Sequence, residues 1–136
     1  MITIFTDGGS RGNPGPAATG AYVTDEKGNI LYAEGKRIGI ATNNVAEYMA
    51  VIDALSWLSE HKNEIVMPIM FFMDSLLVVS QIQGVYRVRT QHIGDLLAIV
   101  RKLEKEISLH IIYRHVRREK NKQADRLVNM ALDNIT

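Results

Sequence analysis

Apolar and polar residues alternate along Ile2-Thr3-Ile4-Phe5-Thr6-Asp7, which predicts a strand over 2–7 with an acid at its end. The stretch Gly8-Gly9-Ser10-Arg11-Gly12-Asn13-Pro14-Gly15-Pro16 breaks every period. It reads as a loop, because glycine and proline set backbone angles that regular elements avoid. Strand-like runs over 18–25 and 30–40 flank Lys27-Gly28-Asn29, a hairpin signal. The period changes at Thr42. From there to about Leu58 apolar residues recur every three or four positions, so a helix follows, with Thr42 or Asn43 able to cap it. Ile69 to Met73 is a continuous apolar run, as an interior strand would show, and Asp74 ends it. Ser75 can cap a short helix to about Gln83, which Gly84 stops. Over 91–107, Ile93, Leu96, Leu97, Val100, Leu103 and Ile107 form the apolar stripe of an amphipathic helix. A last strand is expected over 109–116, then a charged loop from Arg117 to Lys120. Asn121 is expected to cap a final helix that buries Ala124, Leu127, Val128, Ala131 and Leu132. The order βββαβααβα predicts an α/β fold, a mixed five-stranded sheet with helices on both faces, in one domain over 1–136.

A chain of 136 residues, 46% hydrophobic and 23% charged, has enough apolar mass to bury its own core. No apolar run approaches the ~20 residues of a membrane helix. Ile2–Phe5 enters a strand without the basic start of a signal peptide. The absence of cysteine excludes disulfides, thiolate catalysis and cysteine-held zinc. A cytoplasmic monomer is the expectation. Net charge is only +1, yet residues 1–68 carry 5 Lys/Arg against 8 Asp/Glu and residues 69–136 carry 11 against 7. By itself the asymmetry is better explained by solvated helix faces. Beside the acids described next, it also suits a metal site flanked by a polyanion track.

Most of the 15 acids fall in turns or on polar helix faces, and four do not. Asp7 and Asp74 each follow a strand, and in sheets with helices packed on them sites gather where strands end. Asp74 alone also reads as a helix cap beside Ser75. Glu47 shares a helical stripe with Ala50, Val51, Ala54 and Leu58, which is otherwise apolar and small. A carboxylate buried there needs a cation or a proton. Asp125 lies one turn into the final helix, where alone it reads as an acid favoured by the helix dipole. Converging carboxylates suit magnesium, which is held by a few carboxylates together with substrate phosphate. Two such ions can activate a water and stabilise the leaving oxygen of an in-line displacement. Trp57 reads as packing, and His92 and His110 have no evident partners.

Four motifs stand in register: Thr6-Asp7-Gly8-Gly9-Ser10 with Gly12-Asn13-Pro14-Gly15-Pro16, Thr42-Asn43-Asn44-Val45-Ala46-Glu47, Asp74-Ser75, and Glu119-Lys120-Asn121-Lys122-Gln123-Ala124-Asp125. In these motifs and in element order the chain resembles the type 1 ribonuclease H family over nearly its whole length. The resemblance implies a ribonuclease H-like fold and a metal-dependent endonuclease that hydrolyses the RNA strand of RNA–DNA hybrids. It implies products with 5′-phosphate and 3′-hydroxyl ends. Asp7, Glu47, Asp74 and Asp125 resemble the carboxylates that hold two Mg²⁺, or Mn²⁺, around the scissile phosphate. Gly8, Gly9, Ser10, Asn13, Asn43 and Asn44 resemble the substrate readers. Glycine permits close backbone approach, and amides can bond the 2′-hydroxyl that marks RNA. Thr42 resembles the hydroxyl that, with Asn13, grips a phosphate of the DNA strand.

The chain departs from the common bacterial pattern in three places. The loop before Asp125 is short and lacks the usual histidine; Arg118 is the preferred stand-in and His115 the alternative. Leu76 stands where many members have a polar residue that contacts RNA. The tract from Gln83 to Thr90 is too short for an added basic helix, leaving Tyr86, Arg87 and Arg89 for a smaller grip. Duplex RNA or a DNA intermediate as substrate, and a non-catalytic binding module, stay open as other readings.

Overall fold

β1 (Ile2–Ser10), β2 (Gly15–Asp25) and β3 (Ile30–Ala41) form an antiparallel meander in the computed structural model, which describes residues 1–134. On the other side of β1, β4 (Ile69–Met73) and β5 (Ile111–His115) add in parallel, giving the order β3-β2-β1-β4-β5. The helices are α1 (Asn43–His61), α2 (Leu76–Ile82), α3 (Gln91–Ile107) and α4 (Lys122–Leu132). This is the expected α/β order and a mixed five-stranded sheet.

Two successive glycines show how the sheet is covered. Gly8 and Gly9 are neighbours on β1 and face opposite sides of the pleat. A Cβ on Gly8 would overlap the backbone of Ala46 and Glu47 in α1, whereas one on Gly9 would meet Val128 of α4. Helices therefore lie on both faces. Glycine is equally required at Gly20 and Gly35, where α4 brings the carbonyl oxygens of Ala124 and Leu127 onto β2 and β3.

The period of α1 explains its depth. Ala46, Ala50 and Ala54 are fully buried, and such small side chains let the helix settle close to the sheet. Val51, Leu55 and Leu58 share one core with Ile4 and Phe71 of the sheet and with Val100 of α3. Each large apolar side chain buried there stabilises the fold by about 1.5–3 kcal/mol relative to exposure. Fully buried Tyr48 donates its hydroxyl to Gln81 Oε1 at 2.8 Å, tying α1 to α2. Among the described residues no helix is long and apolar enough to cross a membrane.

The structure corrects several boundaries. The expected loop over 8–16 is mostly strand: Gly8, Gly9 and Ser10 pair with Thr19, Ala18 and Ala17, and only residues 11–14 turn. Gly8 is there for the helix that presses on it, and of the loop's glycines only Gly12, at φ +101°, adopts the left-handed region. α1 runs past Leu58 to His61, whose ring stacks on Trp57 at 4.4 Å between centroids. β5 is shorter than expected. Asn121 stands at the head of α4 but its side chain makes no capping bond there. It is buried against β1 instead, its Nδ2 donating to the Thr6 carbonyl at 2.9 Å.

Candidate metal centre

The parallel pairing of β1 with β4 sets Thr6 opposite Met73, so Asp7 and Asp74 follow side by side where β4 stops. Glu47 arrives from the opposite direction. Its peptide nitrogen lies against Gly8, and the absent Cβ of that glycine lets α1 bring the side chain to Asp7. Asp7, Glu47 and Asp74 each offer a carboxylate oxygen, and these oxygens lie within 4.8 Å of one another. Asp125 is placed by the packing of α4. Asp7 is paired across the ladder with Gly20, and Ala124, next to Asp125, sits over Gly20. Asp125 lines the same cleft without joining the tight group of three.

Asp7 is 8% exposed and Glu47 9%. Burial pushes the Asp7 carboxyl from its ordinary 3.8 up to about 7, and the charges of Asp74 and Asp125 add to the rise. Burial also holds Glu47 well above its ordinary 4.5, helped by the charges of Asp7 and Asp74. Asp7 Oδ1 accepts from the Gly8 amide at 3.0 Å. Among the described residues Glu47 Oε2 and Asp74 Oδ2 are buried with no hydrogen-bond partner. Carboxylate oxygens left without donors in a water-poor place fit a divalent cation, because only oxygen ligands of this kind satisfy a hard ion and are satisfied by it. Without a cation the group would have to keep a proton.

The cleft around these acids holds about 680 Å³ and includes Gly8, Gly9, Ser10, Asn13, Asn43 and Asn44. Their hydrogen bonds orient them. Asn13 Oδ1 accepts from the Asn43 amide at 3.0 Å, and Asn43 Oδ1 accepts from the Ser10 amide at 2.9 Å. Both amide oxygens are used to knit the β1–β2 hairpin to the head of α1. The two Nδ2 groups take no part in these bonds, and both residues line the cleft. Thr42 does not line it; its hydroxyl caps α1 by accepting from the Val45 amide at 3.2 Å. Arg118 does line it, from the short helical turn Arg118–Lys120, whereas His115 is exposed at the end of β5 and is not among the lining residues.

Sequence reasoning missed Arg11, a second cation on the rim, which pairs with Asp133 at 2.6 Å. Its position between Ser10 and Gly12 was the available signal. Leu76 is 57% exposed. A smaller groove adjoins the cleft, sharing Asn44 and Leu77 with it and lined beyond them by Tyr86, Arg87 and Arg89.

The model of the reverse transcriptase-like family matches residues 5–131. Bifunctional protein Rv2228c of Mycobacterium tuberculosis is 40% identical over 133 residues, 97% of this chain and 35% of that protein. Ribonuclease HI of Halobacterium salinarum is 38% identical over 132 residues, 97% of this chain and 64% of that protein. The chain thus spans about a third of the mycobacterial relative and less than two thirds of the halobacterial one. Among solved structures, LC11-RNase H1 in complex with an RNA/DNA hybrid superposes with a TM-score of 0.92 at 45% identity, covering 98% of each chain. That protein was isolated from compost by a metagenomic approach. With relatives matched over nearly its full length and a shared fold, the chain belongs to the type 1 ribonuclease H family.

Proposed function

We propose that this chain is one catalytic domain that hydrolyses the RNA strand of RNA–DNA hybrids, using divalent cations held by Asp7, Glu47, Asp74 and Asp125. The observation that carries the reading is the convergence of three carboxylate oxygens within 4.8 Å, with buried Glu47 Oε2 and Asp74 Oδ2 lacking any partner. Kinship with ribonuclease HI and with a protein whose structure contains an RNA/DNA hybrid supports the substrate class. A pair of Mg²⁺ ions, or Mn²⁺, would supply Lewis-acid charge at the scissile phosphate and an acidified water.

The chain's own residues define the rest. The four acids would hold and neutralise the cations, and the cleft they line has room for a phosphate beside them. Gly8, Gly9, Ser10, Asn13, Asn43 and Asn44 line the cleft, where the side-chain amides can bond 2′-hydroxyls and select RNA. Thr42 and Asn13 serve a phosphate of the DNA strand. Arg118, a guanidinium lining the cleft, attracts phosphate. Water oxygen bonds to phosphorus and the bond from phosphorus to the 3′-oxygen breaks, which leaves a 5′-phosphate and a 3′-hydroxyl. Tyr86, Arg87 and Arg89 add a modest, salt-sensitive hold on the backbone.

The test incubates labelled hybrid, duplex RNA and duplex DNA with Mg²⁺ and then with chelator. Cleavage of the RNA strand of hybrid alone, abolished by chelator and by Asp7→Asn, is expected. Chelator-insensitive binding without cutting leaves a binding module, and equal cutting of duplex RNA removes the assigned selectivity.

A further inference from the structure

We infer that Asn121 is a positioning residue that fastens the strand carrying Asp7 to the helix carrying Asp125, so that the carboxylates stay converged. The inference rests on the metal-dependent reading above and assigns to Asn121 a task different from the helix cap expected of it. Asn121 is fully buried. Its Nδ2 donates to the carbonyl of Thr6 at 2.9 Å, across 115 residues of chain, and Thr6 immediately precedes Asp7. Its own carbonyl accepts from the Asp125 amide at 3.1 Å, and its amide donates to the Arg118 carbonyl at 2.9 Å. One residue therefore joins the end of β1, the turn that bears Arg118 and the first turn of α4.

Two further facts separate positioning from plain stability. Among the described residues Asn121 Oδ1 and Thr6 Oγ1 are both buried without a partner. A buried oxygen without a partner costs about 1–3 kcal/mol, more than a single amide–carbonyl bond returns. An apolar side chain of the same size would serve stability at least as well. What it would lack is the directed bond that sets the register of α4 on β1. Thr6 stands opposite the last residue of β4, where the sheet opens toward the cleft. A shift of α4 there moves Asp125 relative to Asp7, while the hairpin and α1, which carry the substrate readers, stay in place.

The experiment uses the full chain. Mn²⁺ is titrated calorimetrically into substrate-free protein, kcat and KM are measured on a hybrid, and urea unfolding is followed in chelator. Asn121→Ala removes the amide, and Asn121→Leu replaces both its polar atoms with methyls in a similar branched shape, which guards against a variant that fails to fold. Leu58→Ala, fully buried in the last turns of α1 and remote from the acids, is the destabilised control. Both Asn121 variants are expected to bind Mn²⁺ about tenfold more weakly, as loss of groups supporting metal ligands does. Their kcat should fall by a similar factor with KM unchanged, and Leu58→Ala should keep both values despite losing stability. A folded Asn121 variant with the wild-type Mn²⁺ midpoint and kcat overturns the inference, as does an equal loss in Leu58→Ala. Asp7→Asn separates the two levels. If wild type binds no Mn²⁺, or Asp7→Asn binds it unchanged, the metal reading itself fails and the role of Asn121 goes with it. If Asp7→Asn loses Mn²⁺ and the Asn121 variants do not, only the present inference falls.

Discussion

Replacing Asp7 with asparagine should stabilise the metal-free protein at alkaline pH while abolishing its activity. Asp7 is 8% exposed, and burial lifts its carboxyl from 3.8 to about 7. A folded-state value above the unfolded one means that the group's contribution to stability is complete only below the ordinary value. It is lost as pH rises through about 7. Above that, the native protein must hold a charge that the unfolded chain would hold in water. At 1.36 kcal/mol per pH unit, the rise sets a ceiling of roughly 4 kcal/mol. Glu47 shares the burial and the proton, so removing one charge relieves a cost that the other partly bears. The asparagine amide can also donate to the unpartnered Glu47 Oε2. The expected gain is therefore about 1–3 kcal/mol at pH 8, falling to roughly a third of that at pH 5 and vanishing only below the ordinary 3.8. Urea unfolding in chelator at the two pH values measures it. Adding Mn²⁺ reverses the order: wild type should gain about 2.7 kcal/mol at a hundred times its dissociation constant, and Asp7→Asn little. An Asp7→Asn protein no more stable than wild type in chelator at pH 8, or equally stabilised by Mn²⁺, would refute the account.

Gly8→Ala should displace α1 or unfold the protein, at a cost of about 3 kcal/mol or more, because the new Cβ meets the rigid backbone of Ala46; a wild-type melting curve together with full activity would contradict the packing described. Arg118→Ala should lower kcat about tenfold, the equivalent of one charge-assisted hydrogen bond, with the melting curve unchanged. An unaltered turnover number would end its role. Arg11→Ala removes an ion pair whose side chains are 48% and 46% exposed, so stability should change by less than about 1 kcal/mol. A larger loss in urea unfolding would mean that the pair anchors the hairpin to the end of α4.

Glu47 was legible because a charge on an apolar helical stripe contradicts the stripe, and the contradiction survives whatever the tertiary fold. Asp74 was legible because it follows a strand; Asp7, read the same way, lies inside β1, which runs on to Ser10, and the β1–β4 register still brings the two together. Asn121 was misread for a physical reason. Asparagine at a helix head is a common cap, and nothing local reveals that its side chain bonds Thr6, 115 residues away. Gly8 and Gly9 were misread similarly. Sequence sees that a glycine permits unusual angles, whereas here both pair as ordinary strand residues and Gly8 makes room for a helix. The placing of Arg118 rather than His115 in the cleft turns on where β5 ends, and a strand boundary is among the least determined features of a pattern.

The division of labour within the fold follows from these energies. Asp7 and Glu47 resist burial, so the site opposes folding wherever no cation is bound. The opposition is sustained by elements that would be stable without it: the core of Ile4, Val51, Leu55, Leu58, Phe71 and Val100 lies beneath the acids and owes nothing to them. Glycines set the approach of α1 and α4 through hard backbone contacts, which hold a position more sharply than flexible side chains can. A rigid frame of this kind lets like charges stand close enough to share an ion. A softer one would let them move apart, and the affinity for the cation would be spent on bringing them back together.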